Sequence, residues 1–384
     1  MRIVCIHVFL SILKCFEFYI SLSYTEAMIT KLTFRITEDD IISIRSRCPH
    51  VRILDFLRQR GFSRHLLLSF KDFKKAFSSK HPDEIPFQSN WSPVMLNGVP
   101  VRLSQPLDAG TTLTVFLPPE AASEKIEPVD LPFPILFEDA HLLIINKPAG
   151  MPVHPSPGNY DNTLANAAAF YFQQKGEPFV FRCINRLDRD TSGLLILACN
   201  AFSASVLSEE MRNREIKREY RALVRGITPS SGTIDLPIGR QEGSVILRCV
   251  DPENGERAVT HYKRLAIFDI SGRHVVPCSG SSDALDTYGS RTSVSSSIDA
   301  HHTTCSYVSL QLETGRTHQI RVHMSASGHP LLGDDLYDPA HPKKPIHRQA
   351  LHSFRLTLVH PMTREQMQFE APLPEDMQAL LRQN

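Results

Sequence analysis
The chain has 384 residues, 42% hydrophobic and 22% charged, the make-up of a globular protein with room for two or three domains. A net charge of +1 excludes a uniformly basic nucleic-acid coat, so any anion-binding surface must be local. The eight cysteines, at 5, 15, 48, 183, 199, 249, 278 and 305, include no Cys-x-x-Cys pair, which argues against a zinc site and a disulfide framework.

The first segment, Ile3–Leu13, is an apolar run too short to span a bilayer. Lys14 and Glu17 follow it, and no small-x-small cleavage site precedes Ala27. A tail outside the working protein, residues 1–28 with Met28 as candidate start, is therefore preferred to a signal peptide. Ile29–Ile36 alternates as a strand and opens a first module, 29–117. Val51, Ile53, Leu54, Phe56 and Leu57 have helical spacing, Gly61 breaks it, and a second helix starts near Ser63. These helices carry Arg52, Arg58, Arg60, Arg64, Lys71, Lys74 and Lys75 against only Asp55 and Asp72. A solvated helical face is the plain explanation of such a run, and phosphate contact the functional one. Ser78–Trp91 reads as an insertion. Met95–Val101 reads as a hairpin turning at Asn97-Gly98, and Leu107–Val115 as a turn into a strand.

Residues 118–134 hold five prolines and form a semi-rigid linker. An α/β texture begins at 135 and continues to 384. Ile135–Asp139 and Leu142–Ile145 are expected as strands, Asn146–His154 as an extended loop, and Thr163–Lys175 as a helix capped by Asn162. Phe179–Ile184 and Leu194–Cys199 read as buried strands around a charged loop, Arg186–Gly193. That loop holds two acids and two arginines where a hairpin needs only a turn, and a salt-bridged connection is the bland alternative. Ala201–Arg214 is expected as an amphipathic helix and Lys217–Gly226 as a strand, with shorter strands near 232–236, 244–250 and 257–268. Residues 271–304 are rich in Ser, Gly, Thr and Asp and are expected as a disordered insertion, where His301-His302 reads as solvated. A strand then ends at Thr314-Gly315, and Thr317 is expected to cap a helix closed by Gly328. The arginines and histidines at that helix start suit an anion. Strands Leu351–Val359 and Met367–Phe369 and a helix from Pro374 complete the chain.

Three blocks now stand in order: "NRLDRDTSGLLILA" from Asn185, "KREYRALVRG" from Lys217, and "LETGRTHQIRVHM" from Leu312, with "GHPLLGD" after it. Together they resemble the three motifs of RluA-type pseudouridine synthases, and "INKPAGMPVHP" and "QALHSFRLTLVHP" resemble further segments of that family. The likeness covers roughly Leu131 to Pro374. The module ahead of it resembles the alpha-L RNA-binding module. One departure is Asn185, where the family's first motif often begins with His.

The resemblance implies an α+β pseudouridine synthase fold, a mixed and mostly antiparallel sheet with flanking helices, preceded by a small α/β RNA-binding module. It implies isomerisation of uridine to pseudouridine in structured RNA, in large-subunit ribosomal RNA ahead of transfer RNA. A non-catalytic RNA-binding or ribosome assembly factor of the same fold is the competing class. No cofactor, metal or membrane partner is implied, and a cytoplasmic monomer is expected. Carried over residue by residue, Asp188 is the nucleophile, Arg321 its basic partner with Arg316 as the alternative, and Tyr220 the platform under uracil. Arg186 supports or replaces the displaced nucleotide, while Asn185, Arg316, His318, Gln319, Ile320 and Leu351 complete the substrate site. In a dry pocket the carboxylate would be desolvated, and the guanidinium would oppose that effect. Residues alone leave Asp190 as the competing acid.

Overall fold
The computed structural model describes residues 30–48, 50–80, 92–118, 120, 123, 125–270, 276–277, 304–341 and 345–382, without side chains for 74–80 and 276–277. The expected tail, nearly all of 271–304, and residues 81–91 of the Ser78–Trp91 insertion lie outside these residues. So do the side chains of Lys74 and Lys75. The chain divides into two compact units. The first takes the residues up to 123 with 172–180 and 200–206, and the second takes 124–171, 181–199 and 207 onward.

The first unit opens with β1 (Lys31–Arg35), whose alternating burial puts Leu32 and Phe34 inside. Helix α1 (Glu38–Arg45) follows, an element absent from the expectations above. Thr37 and Asp40 close a reciprocal capping box at its start: Asp40 N–H donates to Thr37 Oγ1 (3.2 Å) and Thr37 N–H to Asp40 Oδ2 (3.0 Å). Helices α2 (Ile53–Gln59) and α3 (Arg64–Lys80) occupy the places their spacing indicated. Strands β2 (Val94–Leu96) and β3 (Val99–Pro100) form the Asn97-Gly98 hairpin, in which both turn residues have positive φ (49° and 79°), as a tight two-residue turn requires. With β4 (Thr112–Phe116) these strands form an antiparallel sheet in the order β1-β4-β2-β3. Ile53, Phe56, Leu57, Leu113 and Val115 are fully buried in its core.

The second unit is built on β5 (Ile135–Glu138), β6 (Leu142–Lys147), helix α4 (Leu164–Gln174, whose last residues from 172 count with the first unit), β7 (Ser192–Ala198) and helix α5 (Ala201–Arg212, which belongs to this unit from 207). These are followed by β8 (Lys217–Arg225), β9 (Ser231–Asp235), β10 (Ile238–Arg240), β11 (Arg248–Val250), β12 (Val259–Asp269), β13 (Val276–Pro277) and β14 (Thr304–Leu312). Helix α6 (Gln319–Ala326), β15 (Leu351–Val359), β16 (Gln366–Glu370) and helix α7 (Glu375–Arg382) end it. The main sheet runs β13-β12-β14-β8-β15-β7-β6-β5, with β16 on β15 and β9 on β12, while β10 and β11 pair separately. Its pairs are antiparallel except β15 with β7, which runs parallel at His352–Ser192 and Ser353–Gly193. The fold is α+β, as expected. All seven residues of β7 are buried, which is why its sequence is a continuous apolar run and not an alternating one.

Two expectations fail locally. Phe179–Ile184 is not a strand. Only its end reaches β7, through a Cys183–Leu197 bridge and the bonds Ile184 N–H to Ile196 O and Ala198 N–H to Arg182 O (both 2.9 Å). The edge of β7 is shared: β15 takes its beginning, and 182–184 are left with the remainder. Helix α4 is capped by Thr163 and not by Asn162. Thr163 N–H donates to Asn166 Oδ1 (3.1 Å), and the Asn162 amide turns to Asn159. Among the described residues no helix is long and apolar enough to cross a membrane.

Candidate active site
The charged loop ahead of β7 is a turn closed by Thr191 N–H to Asp188 O (3.1 Å). Its geometry is imposed from several sides. Lys147, fully buried at the end of β6, donates through Nζ to Arg189 O (2.9 Å), Met151 O (2.8 Å) and Pro148 O (2.7 Å). This lysine ties the charged loop to the Asn146–His154 loop. Burial pulls its pKa down to about 7, against the attraction of Asp190 and Asp188. Arg348 Nη1 donates to Asp190 O (3.0 Å), and Ser192 Oγ meets His352 Nδ1 (2.9 Å), where burial holds the imidazole pKa at about 4 and so neutral. Gly193 (φ 111°) lies so close to β15 that a Cβ there would stand 2.2 Å from Ser353 O.

Within this frame the two acids of the loop part company. Asp190 is bonded side-on by its neighbour Arg189 (Nη2–Oδ2 2.9 Å). Asp188 Oδ2 instead accepts from Arg321 Nη1 (3.2 Å), and no protein group among the described residues bonds its Oδ1. Arg321 reaches it from the first turn of α6 and is held on its other edge by Asp334, with Nε–Oδ2 at 2.7 Å and Nη2–Oδ1 at 2.8 Å. Asp334 is fully buried and also accepts from the N–H groups of Leu336 and Tyr337. Burial works against the Arg321 charge, but the bidentate bond to Asp334 and the nearby Asp188 raise its pKa above the ordinary value. Asp188 itself is 26% exposed, so the expected dry enclosure is incomplete.

A second group faces the same oxygen. His318 takes a left-handed backbone (φ 58°) at the start of α6, a conformation that is uncommon for a side chain of this size. Tyr337 Oη accepts from Arg248 N–H (3.0 Å) and has its hydrogen free for His318 Nδ1 (2.8 Å). If Tyr337 Oη gives that hydrogen to Nδ1, the imidazole proton sits on Nε2, 4.0 Å from Asp188 Oδ2. Burial keeps the His318 pKa below its ordinary value despite the attraction of Asp188, which favours the neutral ring.

These groups open on a cavity of about 700 Å³ lined by Arg186, Asp188, Tyr220, Ile320, Arg321 and Leu351, among others. Tyr220 on β8 is a buried wall, and Ile320 and Leu351 are apolar neighbours of low exposure. Arg186 is exposed at this cavity. Other expected site residues also line this cavity, but their polar groups are engaged within the protein. Arg316 is paired with Glu256 and donates to Arg257 O (3.2 Å), so it is Arg321 that meets Asp188. Asn185, expected at the RNA, turns its amide into the protein, donating to Leu194 O (3.2 Å) and accepting from Ile196 N–H (2.8 Å). Its side chain completes the β7 bonding that the missing strand would have supplied. Gln319 spends both ends of its amide on Arg316 N–H, Thr314 Oγ1, Val259 O and Thr260 Oγ1. Thr317 is not the cap of α6. His318 stands at that position, and Gln319 takes up the Arg316 amide in its place.

In the first unit, Arg52 is bonded to Asp55 (2.8 Å) and Arg60 to Asp40 (2.7 Å), while Arg58, Arg64 and Lys71 are exposed. Residues that sequence reasoning missed are Lys147, Asp334, Tyr337 and Arg348. Lys147 and Asp334 stand inside quoted motif blocks, and a lysine closing the apolar run Leu142–Ile145 was the visible signal for the first.

The family described as RNA pseudouridylate synthase matches residues 141–326. An uncharacterized RNA pseudouridine synthase of Bacillus subtilis, YjbO, is 40% identical over 290 residues, covering 75% of this chain and 89% of that protein. Ribosomal large subunit pseudouridine synthase D of Zymomonas mobilis is 38% identical over 270 residues, 67% of this chain and 74% of that one. The solved structure of human RNA pseudouridylate synthase domain containing 1 is 26% identical, with a TM-score of 0.49, over 66% of this chain and 90% of that chain.

Proposed function
The chain belongs to the RNA pseudouridylate synthase family and is an RNA pseudouridine synthase, and we propose that it isomerises uridines of large-subunit ribosomal RNA with Asp188 as the nucleophile. The observation that carries the assignment is the Arg321 guanidinium locked between buried Asp334 and Asp188 at a cavity walled by Tyr220. Arg321 holds Oδ2 and leaves Oδ1 to the substrate. The target uridine leaves its stack and lies against Tyr220 between Ile320 and Leu351, with Arg186 supporting the place it vacated. The Asp188 carboxylate adds to the nucleoside as the N1–C1′ bond breaks, and departs as C5 joins C1′. C5 loses its proton and N1 ends protonated, so the reaction balances without a redox step. Residues 29–117 act as an RNA-docking module through Arg58, Arg64 and Lys71, and 118–134 as their linker to the catalytic domain.

The ribosomal target rests on the name of the Zymomonas relative, and the experiment that tests it is a pseudouridine map of RNA from cells lacking this protein. Loss of one or a few sites in large-subunit ribosomal RNA, restored by the wild-type gene, is expected. Losses confined to transfer RNA would overturn the ribosomal target and leave the activity standing.

A further inference from the structure
Besides Arg321, five arginines line the cavity: Arg186, Arg212, Arg214, Arg218 and Arg316. Arg214 is neutralised by Glu313 (2.9 Å) and Arg316 by Glu256. Arg218, on β8, has no carboxylate partner among the described residues, and its Nε is shielded from solvent with no hydrogen-bond partner in the protein. The adjacent Glu219 does not serve it. Successive side chains of a strand face opposite ways, and Glu219 is engaged by Arg355 (2.8 Å), Ser309 (2.7 Å) and Arg221. Arg218 instead shares the face of Tyr220, two residues and about 7 Å along the strand.

The guanidinium also has a fitted seat. Gly315 lies against it, and a Cβ at that position would stand 3.2 Å from Nη1, closer than side chains ordinarily pack. A charged group held in a shaped seat with a sheltered, unpaired donor costs stability unless an anion completes it. Exposed Arg186 and Arg212, lining the same cavity without acidic partners among the described residues, add to the local positive field.

We propose that Arg218 is a phosphate-binding residue that holds the phosphodiester adjoining the target uridine. A guanidinium offers a planar fork for two non-bridging phosphate oxygens, a geometry that Lys does not reproduce. The proposal rests on Tyr220 carrying the target base, because the strand spacing then puts Arg218 at that nucleotide's own backbone.

The test measures binding of transcribed large-subunit ribosomal RNA as a function of salt, for wild type, Arg218→Gln, Arg218→Lys and Asp188→Asn, with thermal melts of each variant. Arg218→Gln is expected to bind about 10- to 100-fold more weakly and to lower the slope of log K against log [salt] by about one. Arg218→Lys should keep most of the slope, and Asp188→Asn all of it. A synthetic stem-loop carrying a site that wild type converts then locates the contact. One neutral methylphosphonate next to the target uridine should slow wild type about as much as Arg218→Gln does, and should slow Arg218→Gln no further. A wild-type slope in Arg218→Gln, whether affinity falls or not, overturns the proposal, as do fully multiplicative losses at both flanking phosphates. If wild type converts no uridine of the transcript, the ribosomal target fails while the slope comparison still decides the phosphate contact.

Discussion

Gly193→Ala is expected to be among the most damaging single-methyl additions in the catalytic domain. Gly193 has φ 111°, outside the comfortable range of an L-residue, and occupying it costs about 1–3 kcal/mol. The added Cβ would also stand 2.2 Å from Ser353 O and 2.6 Å from Ser353 N, both backbone atoms of β15 that cannot rotate away. Relief requires β7 and β15 to separate at the place where their short parallel pairing occurs, giving up one or two ladder bonds of about 1 kcal/mol each. The sum is about 2–5 kcal/mol, a large share of the stability of an ordinary domain. Gly243 is the control, because its φ of 74° is also positive but a Cβ there meets nothing within 4 Å, so Gly243→Ala should cost only about 1–2 kcal/mol. Urea denaturation of the three proteins supplies the comparison, and turnover supplies the link to function, since the same separation moves Asp188 away from Arg321. Equal losses in the two variants, or a fully active and stable Gly193→Ala, would refute the close-approach argument.

Asp334→Asn removes the bidentate partner of a buried arginine, so it should destabilise by about 3–5 kcal/mol and depress kcat as Arg321 loses its orientation; a variant with wild-type kcat would show that Asp334 does not aim Arg321. Tyr337→Phe deletes the hydroxyl between Arg248 N–H and His318 Nδ1, and is expected to lower kcat more than it raises KM, because His318 loses its fixed proton position near Asp188; a change confined to KM would contradict a positioning role. Lys147 is protonated in the unfolded chain up to its ordinary 10.5 but only to about 7 when folded. Between those values the unfolded state binds more protons, so this group makes stability rise with pH from about 7 upward and weighs against the fold below that. The stability difference between wild type and Lys147→Met, measured at pH 7 and pH 9, should therefore widen in favour of wild type at pH 9; a pH-independent difference would remove Lys147 as the source.

Local pattern carried much of the fold. The Asn97-Gly98 hairpin, the helices over 53–59 and 201–212 and the strand over 217–225 follow from turn chemistry and periodicity within short windows. Helix α1 was legible too, since Thr37 and Asp40 stand at capping-box spacing ahead of Ile41 and Ile44. What short windows do not contain are partners distant in sequence. The apolar run at 179–184 looks like a strand because nothing in it reveals that β15, some 170 residues later, occupies the beginning of the same edge. Lys147 looks like the start of a loop because one of its carbonyl partners, that of Arg189, lies 42 residues away. At the site, motif order singled out Asp188 and Arg321, and the geometry separates Arg321 from Arg316 by their different carboxylates. Asn185 and Gln319 were carried over from the motifs as substrate contacts, and each also bonds groups of the protein that only the folded chain brings near. Asp334 escaped notice for the same reason: a buried acid reads as a turn residue until its arginine is known.

Asp188 is proposed to act as the nucleophile from a prearranged site. The most direct measurement is single-turnover pseudouridine formation by purified Asp188→Asn on an RNA that wild type converts, with RNA affinity determined alongside. Because Asn keeps the size of the side chain and its oxygen for Arg321, the account predicts affinity within about threefold of wild type and a rate lower by about 10⁴-fold or more, the scale of losing a nucleophile. Pseudouridine formed by Asp188→Asn at a rate near that of wild type would contradict it.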